Sequence, residues 1–305
     1  VGWKEAGLVH KDLLDRFPYE EHPYNIALVT AMGDELGLEP DFCVREMSDR
    51  VVADLGVLKT YPRSQIEGRT LEFVMGMSAN ERFGAMGNWD RMGFADHDLA
   101  TDPEVFVSTV VNNRADRVPR SRVFARMLVH DLAADQHVLI GSNVEGLIGF
   151  IHEEWDAFAA NLSLFTEGDD PEKKLEELAR KQRIAVTEDS LAGLLAAMLA
   201  PQSDKLSAAD AAAAASSGRL PEALAEAGIA HAADILAHYD AMAKTAQDYF
   251  ELKRAVAAGG DTGALDAQMR TLLGAAFKAK LVPIYDVYTK GEAIIRLIAQ
   301  KTPPG

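Results

Sequence analysis

Three short apolar runs rich in Val, Ile and Phe punctuate the middle of the chain, each closing on small or polar residues and each followed by helix-period sequence. They are Glu72–Ser78 (EFVMGMS), Val105–Val111 (VFVSTVV) and His137–Gly141 (HVLIG). The stretches between and after them, Glu81–Met92, Arg120–Leu132 and Val144–Phe158, carry apolar residues at helical spacing. Strand, turn and helix repeated at this interval require right-handed crossovers, so the expected class is α/β, with a mostly parallel sheet covered by helices. Leu281–Tyr288 followed by Lys290–Gln300 repeats strand and helix and reads as the last unit of the same sheet.

The rest of the chain is helical in pattern. Pro23 opens one amphipathic stretch that Gly37 stops, and Pro40–Asp41 opens another. Residues 55–70 carry Gly56, Pro62 and Gly68 and read as a linker. Beyond Ala160, Asp170–Pro171, Thr187 and Ser207 with Asp210 are helix starts, the last ahead of an alanine tract read as helix. Ile235–Tyr249 and Leu265–Phe277 complete a helical block over 160–280, inserted before the last strand. Thr302–Gly305 reads as a tail.

Charge narrows the function. Lys and Arg number 31 against 47 Asp and Glu, a net −16, and such a surface repels nucleic-acid phosphates and anionic lipid. No nucleic-acid partner is expected. The single Cys43 excludes an internal disulfide and fits a reducing compartment. The patterns G-x-x-x-x-G-K-[ST], G-x-G-x-x-G, H-E-x-x-H and paired C-x-x-C do not occur. The eight histidines are scattered, and His97 between Asp96 and Asp98 reads as an acidic loop ahead of a cation site.

Against that acidity, Asn112-Asn113-Arg114-Ala115-Asp116-Arg117 follows a predicted strand and is continued by Arg120, Arg122 and Arg126. Ligands of parallel sheets collect at the carboxyl ends of strands, and guanidinium forks bind carboxylate or phosphate at two points. Arg114, Asp116 and Arg117 are therefore candidate site residues, whereas a solvated helix face accounts for the later three. Two other strand ends carry weaker signals. Ser78-Ala79-Asn80-Glu81 offers an amide suited to a purine edge, although Ser and Asn also cap helices. Gly141-Ser142-Asn143-Val144-Glu145-Gly146 permits close backbone approach to a ligand, and turns use the same residues.

Taken together, PYNIALVTAMGDELGL, EFVMGMSANERFGAMGNWDRMG, VFVSTVVNNRADRVPRSRVFARML and HVLIGSNVEG resemble the C-terminal half of the ATP-dependent ligase subunit of poly-γ-glutamate synthase, a capsule-biosynthesis relative of the Mur ligases. The likeness covers about Tyr19–Phe150, with a weaker echo at Val282–Gln300, and N-x-R-A-D-R is its most specific element. It implies a Rossmann-like C-terminal domain over 71–159 and 281–300, and it makes 1–54 the helical end of a central ATPase domain. The implied reaction activates a carboxylate as an acyl phosphate with ATP and Mg²⁺, both held mainly by that central domain, and an amine then forms the amide. By motif position Asn80 and Asp116 would serve the nucleotide, Arg114 and Arg117 the catalysis, and Ser142 and Asn143 the incoming amino acid. A glutamate-like amino acid, an anionic polymer and membrane-bound synthase subunits are the implied partners. The implied place is the cytoplasm, at the inner face of the membrane through those partners, with a homo-oligomer expected.

Two departures accompany the likeness. Without a phosphate-binding loop these 305 residues should not hydrolyse ATP alone, and VPIYDVYTKGEAI, with Tyr285 and Tyr288, stands where the family tends to have a glycine-rich turn. The competing expectation is a non-catalytic α/β binding or assembly protein whose helical block, through Ile235–Tyr249 and Leu265–Phe277, mediates oligomer contacts.

Overall fold

The structure is a computed structural model that describes residues 9–52, 56–77, 79 and 81–305. It divides into two compact units, one from the described residues of Val1–Ser64 with Leu71–Asn88, the other from Gln65–Thr70 with Trp89–Gly305.

In the first unit a short helix α1 (Lys11–Leu14) precedes α2 (Pro23–Glu35) and α3 (Pro40–Arg50), and both longer helices carry proline in the first turn as expected. Two-residue strands follow, β1 (Lys59–Thr60) and β4 (Val74–Met75); the hairpin between them in sequence, β2 (Ser64–Ile66) and β3 (Arg69–Leu71), belongs for Gln65–Thr70 to the second unit. β4 pairs antiparallel with β1. The run Glu72–Ser78 is thus not a strand of the parallel sheet: its apolar centre makes a two-residue bridge, and Ser78 lies outside the described residues. β-branched and aromatic composition marks a pleated, half-buried surface without naming the partner strand. Helix α4 (Arg82–Arg91) comes next.

The second unit holds the parallel sheet. Its strands are β5 (Ser108–Asn113), β6 (Gln136–Gly141) and β7 (Leu281–Pro283), in the order β5-β6-β7 with both pairings parallel. Helix α5 (Val118–His130) crosses from β5 to β6. Between β6 and β7 run α6 (Val144–Ala160), α7 (Pro171–Lys181), α8 (Glu188–Leu199), α9 (Ala208–Ser216), α10 (Leu220–Glu226), α11 (Ala232–Ala258) and α12 (Thr262–Ala279), and α13 (Gly291–Lys301) follows β7. The helical insertion before the last strand is present. Its caps are those the sequence marks: Asp170 accepts from Glu172 and Lys173 N–H, Thr187 from Ser190 N–H and Ser207 from Asp210 N–H.

One core joins sheet and insertion. Leu139 of β6 and Leu147, Ile151 and Trp155 of α6 pack with Tyr249 of α11 and Met269 and Phe277 of α12, and Trp155 stacks on Phe277 at 4.6 Å. Each such side chain contributes about 1.5–3 kcal/mol by leaving water. A second cluster gathers Leu195 and Leu199 of α8 with Leu224 of α10 and Ile235 of α11. The apolar faces of Ile235–Tyr249 and Leu265–Phe277, expected to serve oligomer contacts, are therefore spent inside the chain.

Polar ties close this unit. Arg183, in a left-handed turn after α7, forks onto Asp135 at 3.1 and 3.0 Å and donates to the carbonyls of His97 and Val105. Arg69 is buried, bonds Asp234 of α11 and donates to the Thr302 carbonyl at 3.0 Å, while Gly305 N–H reaches Gly68 O. Pro304 is buried as well, so the segment expected to be a tail is packed.

Candidate functional site: the carboxyl rim of the parallel sheet

Strands β5 and β6 end level with one another, Asn113 opposite Gly141. Asn112 and Asn113, expected just beyond the strand, are its last two residues, because the strand starts at Ser108 where the apolar run was expected to start at Val105. Val105 and Val107 instead anchor the approach to it: Arg183 binds the Val105 carbonyl, and Asp135 accepts the Val107 N–H at 2.7 Å.

Asn113 is 1% exposed and ties the two strand-end loops together. Its Nδ2 donates to the carbonyls of Ser142 (2.9 Å) and Asn143 (3.1 Å), and its Oδ1 accepts from Ser121 Oγ at 2.7 Å. Ser142 N–H returns a bond to the Asn113 carbonyl at 3.0 Å, and Ala115 N–H donates to Ser142 Oγ at 2.8 Å. Gly141 allows this approach. Its φ is +95°, and a Cβ there would collide with the Asn113 carbonyl. Neither Asn113 nor Ser121 stood among the sequence candidates. The available signal was an asparagine closing an apolar strand, a place where a buried amide must find partners.

The charged candidates sit on the same rim. Arg114 clasps Asp116 in two-point fashion, Nε to Oδ1 at 3.0 Å and Nη2 to Oδ2 at 2.8 Å, and Arg117 Nε stands 3.5 Å from the same Oδ2. All three are about half exposed, with 59, 59 and 47% of the Arg114, Asp116 and Arg117 side chains open to solvent. Hydrogen bonding from Arg114 holds the Asp116 carboxyl below the usual range, so the triad stays charged, two guanidiniums against one carboxylate. Asp116 thus braces the arginines. Among the described residues the Arg117 terminal nitrogens have no partner.

Ser142 and Asn143 occupy the second loop. Asn143 is left-handed (φ 57°) and caps α6 by accepting from Gly146 N–H at 3.3 Å, so its side-chain oxygen serves the helix. Asn80 lies outside the described residues. Tyr285 and Tyr288, after β7, are exposed. The strand expected to reach Tyr288 stops at Pro283, whose missing N–H suits an edge, and Asp286 turns the chain by accepting from Tyr288 N–H. Asp98 of the acidic loop is held by Arg180 at 3.1 and 3.2 Å, an ion pair where a cation site was the other option.

The chain is thus an α/β protein whose parallel strands carry, at their carboxyl ends, two arginines braced by Asp116 and a serine tethered to the neighbouring loop. Residues 60–207, which include that rim, match the family model of the poly-gamma-glutamate synthase CapB C-terminal domain, just under half of the chain. PGA synthase CapB of Bacillus subtilis (strain 168) is 24% identical over 177 residues, which are 58% of this chain and 40% of that protein. The chain thus spans less than half the length of this curated relative. No solved structure matches. Among the described residues no helix is long and apolar enough to cross a membrane.

Proposed function

We propose that the chain takes part in poly-γ-glutamate synthesis, as the rim-bearing portion of an ATP-dependent carboxylate–amine ligase of Mur-ligase type. The observation that carries this is the match over residues 60–207 falling on the two loops that Asn113 joins and that carry Arg114, Arg117 and Ser142. The parallel sheet then corresponds to the Rossmann-like C-terminal domain of such ligases, and the glutamate-like amino acid, the anionic polymer and membrane-bound synthase subunits are the partners.

The rim suits an oxyanion. Arg117 presents free guanidinium donors, Asp116 keeps both arginines in place, and charge growing on a phosphorylated carboxylate or its adduct is stabilised by donors already oriented before reaction. ATP would supply the phosphoryl group. A phosphoryl oxygen fits these donors, so Arg117 and Ser142 are the groups of this chain that would hold it. Mg²⁺ does not fit in the same way: among the described residues no group of three or more His, Cys, Asp or Glu is placed to hold a metal ion. No step is therefore assigned to the metal on these residues, and the phosphate-binding loop belongs to another part of the synthase.

In the assembled synthase, Arg117→Ala should lower glutamate-dependent ADP release at least tenfold while thermal unfolding stays within about 2 °C, since an exposed ion pair contributes only ~0–1 kcal/mol to stability. Equal loss of activity and stability would make Arg117 a structural residue and overturn its role.

A further inference from the structure

We propose that Asn113 is the positioning residue of the rim, aiming the Ser142 hydroxyl at a small oxyanion group, carboxylate or phosphoryl, that Arg117 also binds. This deepens the function proposed above and rests on it.

The hydrogen-bond roles follow from chemistry alone. A carboxamide offers two donors and an acceptor, and Asn113 spends them on two carbonyls of one loop and a hydroxyl of α5. Because the Ser142 and Asn143 carbonyls only accept, the amide must present its nitrogen to them, and the Ser121 hydroxyl must donate to Oδ1. The amide therefore has one permitted orientation. The same reasoning reaches Ser142. A peptide N–H only donates, so Ser142 Oγ accepts from Ala115 and keeps its own proton to give. Among the described residues that proton has no acceptor, and Ser142 is partly exposed. Arg117, two residues beyond Ala115, has free terminal nitrogens on the loop to which Ser142 is bonded. The donors left over at the rim are all of one kind, and they suit an anion.

Aspartate is the same size as asparagine but would replace the amide nitrogen by a carboxylate oxygen, an acceptor set against two carbonyls. Asn113→Asp should keep the sheet and lose the aim. Full-length chain, folded by circular dichroism well below its melting temperature, would be titrated calorimetrically with pyrophosphate and with a γ-linked glutamate trimer, and amide exchange at Ala115 would be followed in parallel. The probe bound more tightly by the unaltered chain identifies the source of the oxyanion. Asn113→Asp should weaken that binding at least tenfold and speed Ala115 exchange at least tenfold. Ser142→Ala should do the same to both, and Ser142→Thr, which restores a hydroxyl, should recover most of each. Should Asn113→Asp prevent folding, Ser121→Ala, which removes one of the amide's bonds, should weaken binding several-fold. Unaltered binding in folded Asn113→Asp, or in Ser121→Ala where that variant replaces it, with Arg117→Ala still impaired, overturns the positioning role and leaves the rim as an oxyanion site. Binding of neither probe by the unaltered chain overturns the oxyanion reading itself, and the positioning role with it.

Discussion

His137, the second residue of β6, has its ring buried against Phe277 and its Nδ1 2.8 Å from Thr109 Oγ1. Burial, with the nearby Lys280 charge adding to it, pushes its pKa down to about 3. In the unfolded chain it returns to ~6.5. Between those values the unfolded state holds a proton that the folded state lacks, so this contribution to stability is complete above pH 6.5 and is lost as pH falls towards 3. The sign is the same, at higher pH, for Lys280. Desolvation lowers it to about 7, with Asp135 opposing and Arg183 adding to the shift, so its contribution improves as pH rises from 7 towards ~10.4. Urea unfolding at pH 7.5 and 4.5 should show the unaltered chain losing stability relative to His137→Gln by about 1.4 kcal/mol per pH unit below 6.5. A gap that stays constant would mean that the folded imidazole titrates normally. The Arg183–Asp135 pair is the other extreme of burial, with side chains 2% and 7% exposed. Arg183→Met leaves a buried carboxylate unpaired and should cost about 3–5 kcal/mol in the same measurement; a loss below 1 kcal/mol would show that water reaches Asp135. Neither site was legible in the sequence, because His137 and Arg183 acquire their surroundings only from partners distant in the chain.

Among elements, the helices were legible and the strands only in part. Helix starts are local chemistry: Asp170 before Pro171, Thr187 three residues before Ser190, Ser207 before Asp210. Strand pairing is not local. Val74–Met75 and Val110–Val111 have similar composition, yet one bridges Lys59–Thr60 and the other lies beside β6, a choice made by hydrogen-bond partners elsewhere. Glycines separate the two kinds of information. Gly141 needs positive φ and open space at the rim, so Gly141→Ala should cost about 1–3 kcal/mol and disturb both loops. Gly149 lies inside α6 with nothing within 4 Å of where an added methyl would stand, so Gly149→Ala should raise stability by about 0.5–1 kcal/mol. Thermal melts of the two variants moving in the same direction would refute this assignment of their roles.

Over the whole molecule, the α/β class, the parallel order and the inserted helical block followed from the alternation of apolar runs with helical spacing. The arginine rim was legible too, because clustered guanidiniums stand out on a chain of net charge −16. What escaped was the wiring: Asp116 as the brace of both arginines, Asn113 as the tie, Arg69 and Thr302 closing a segment that reads as linker and tail. All are side chains whose partners the fold supplies. One consequence follows from the placing of β7. On the ribosome it emerges some 140 residues after β6, roughly seven to thirty seconds later at ordinary elongation rates. For that interval one flank of β6 is bare, and the nascent polypeptide carries an unmated ribbon of Val138 and Leu139 that a chaperone or the growing helices must shield until Val282 arrives.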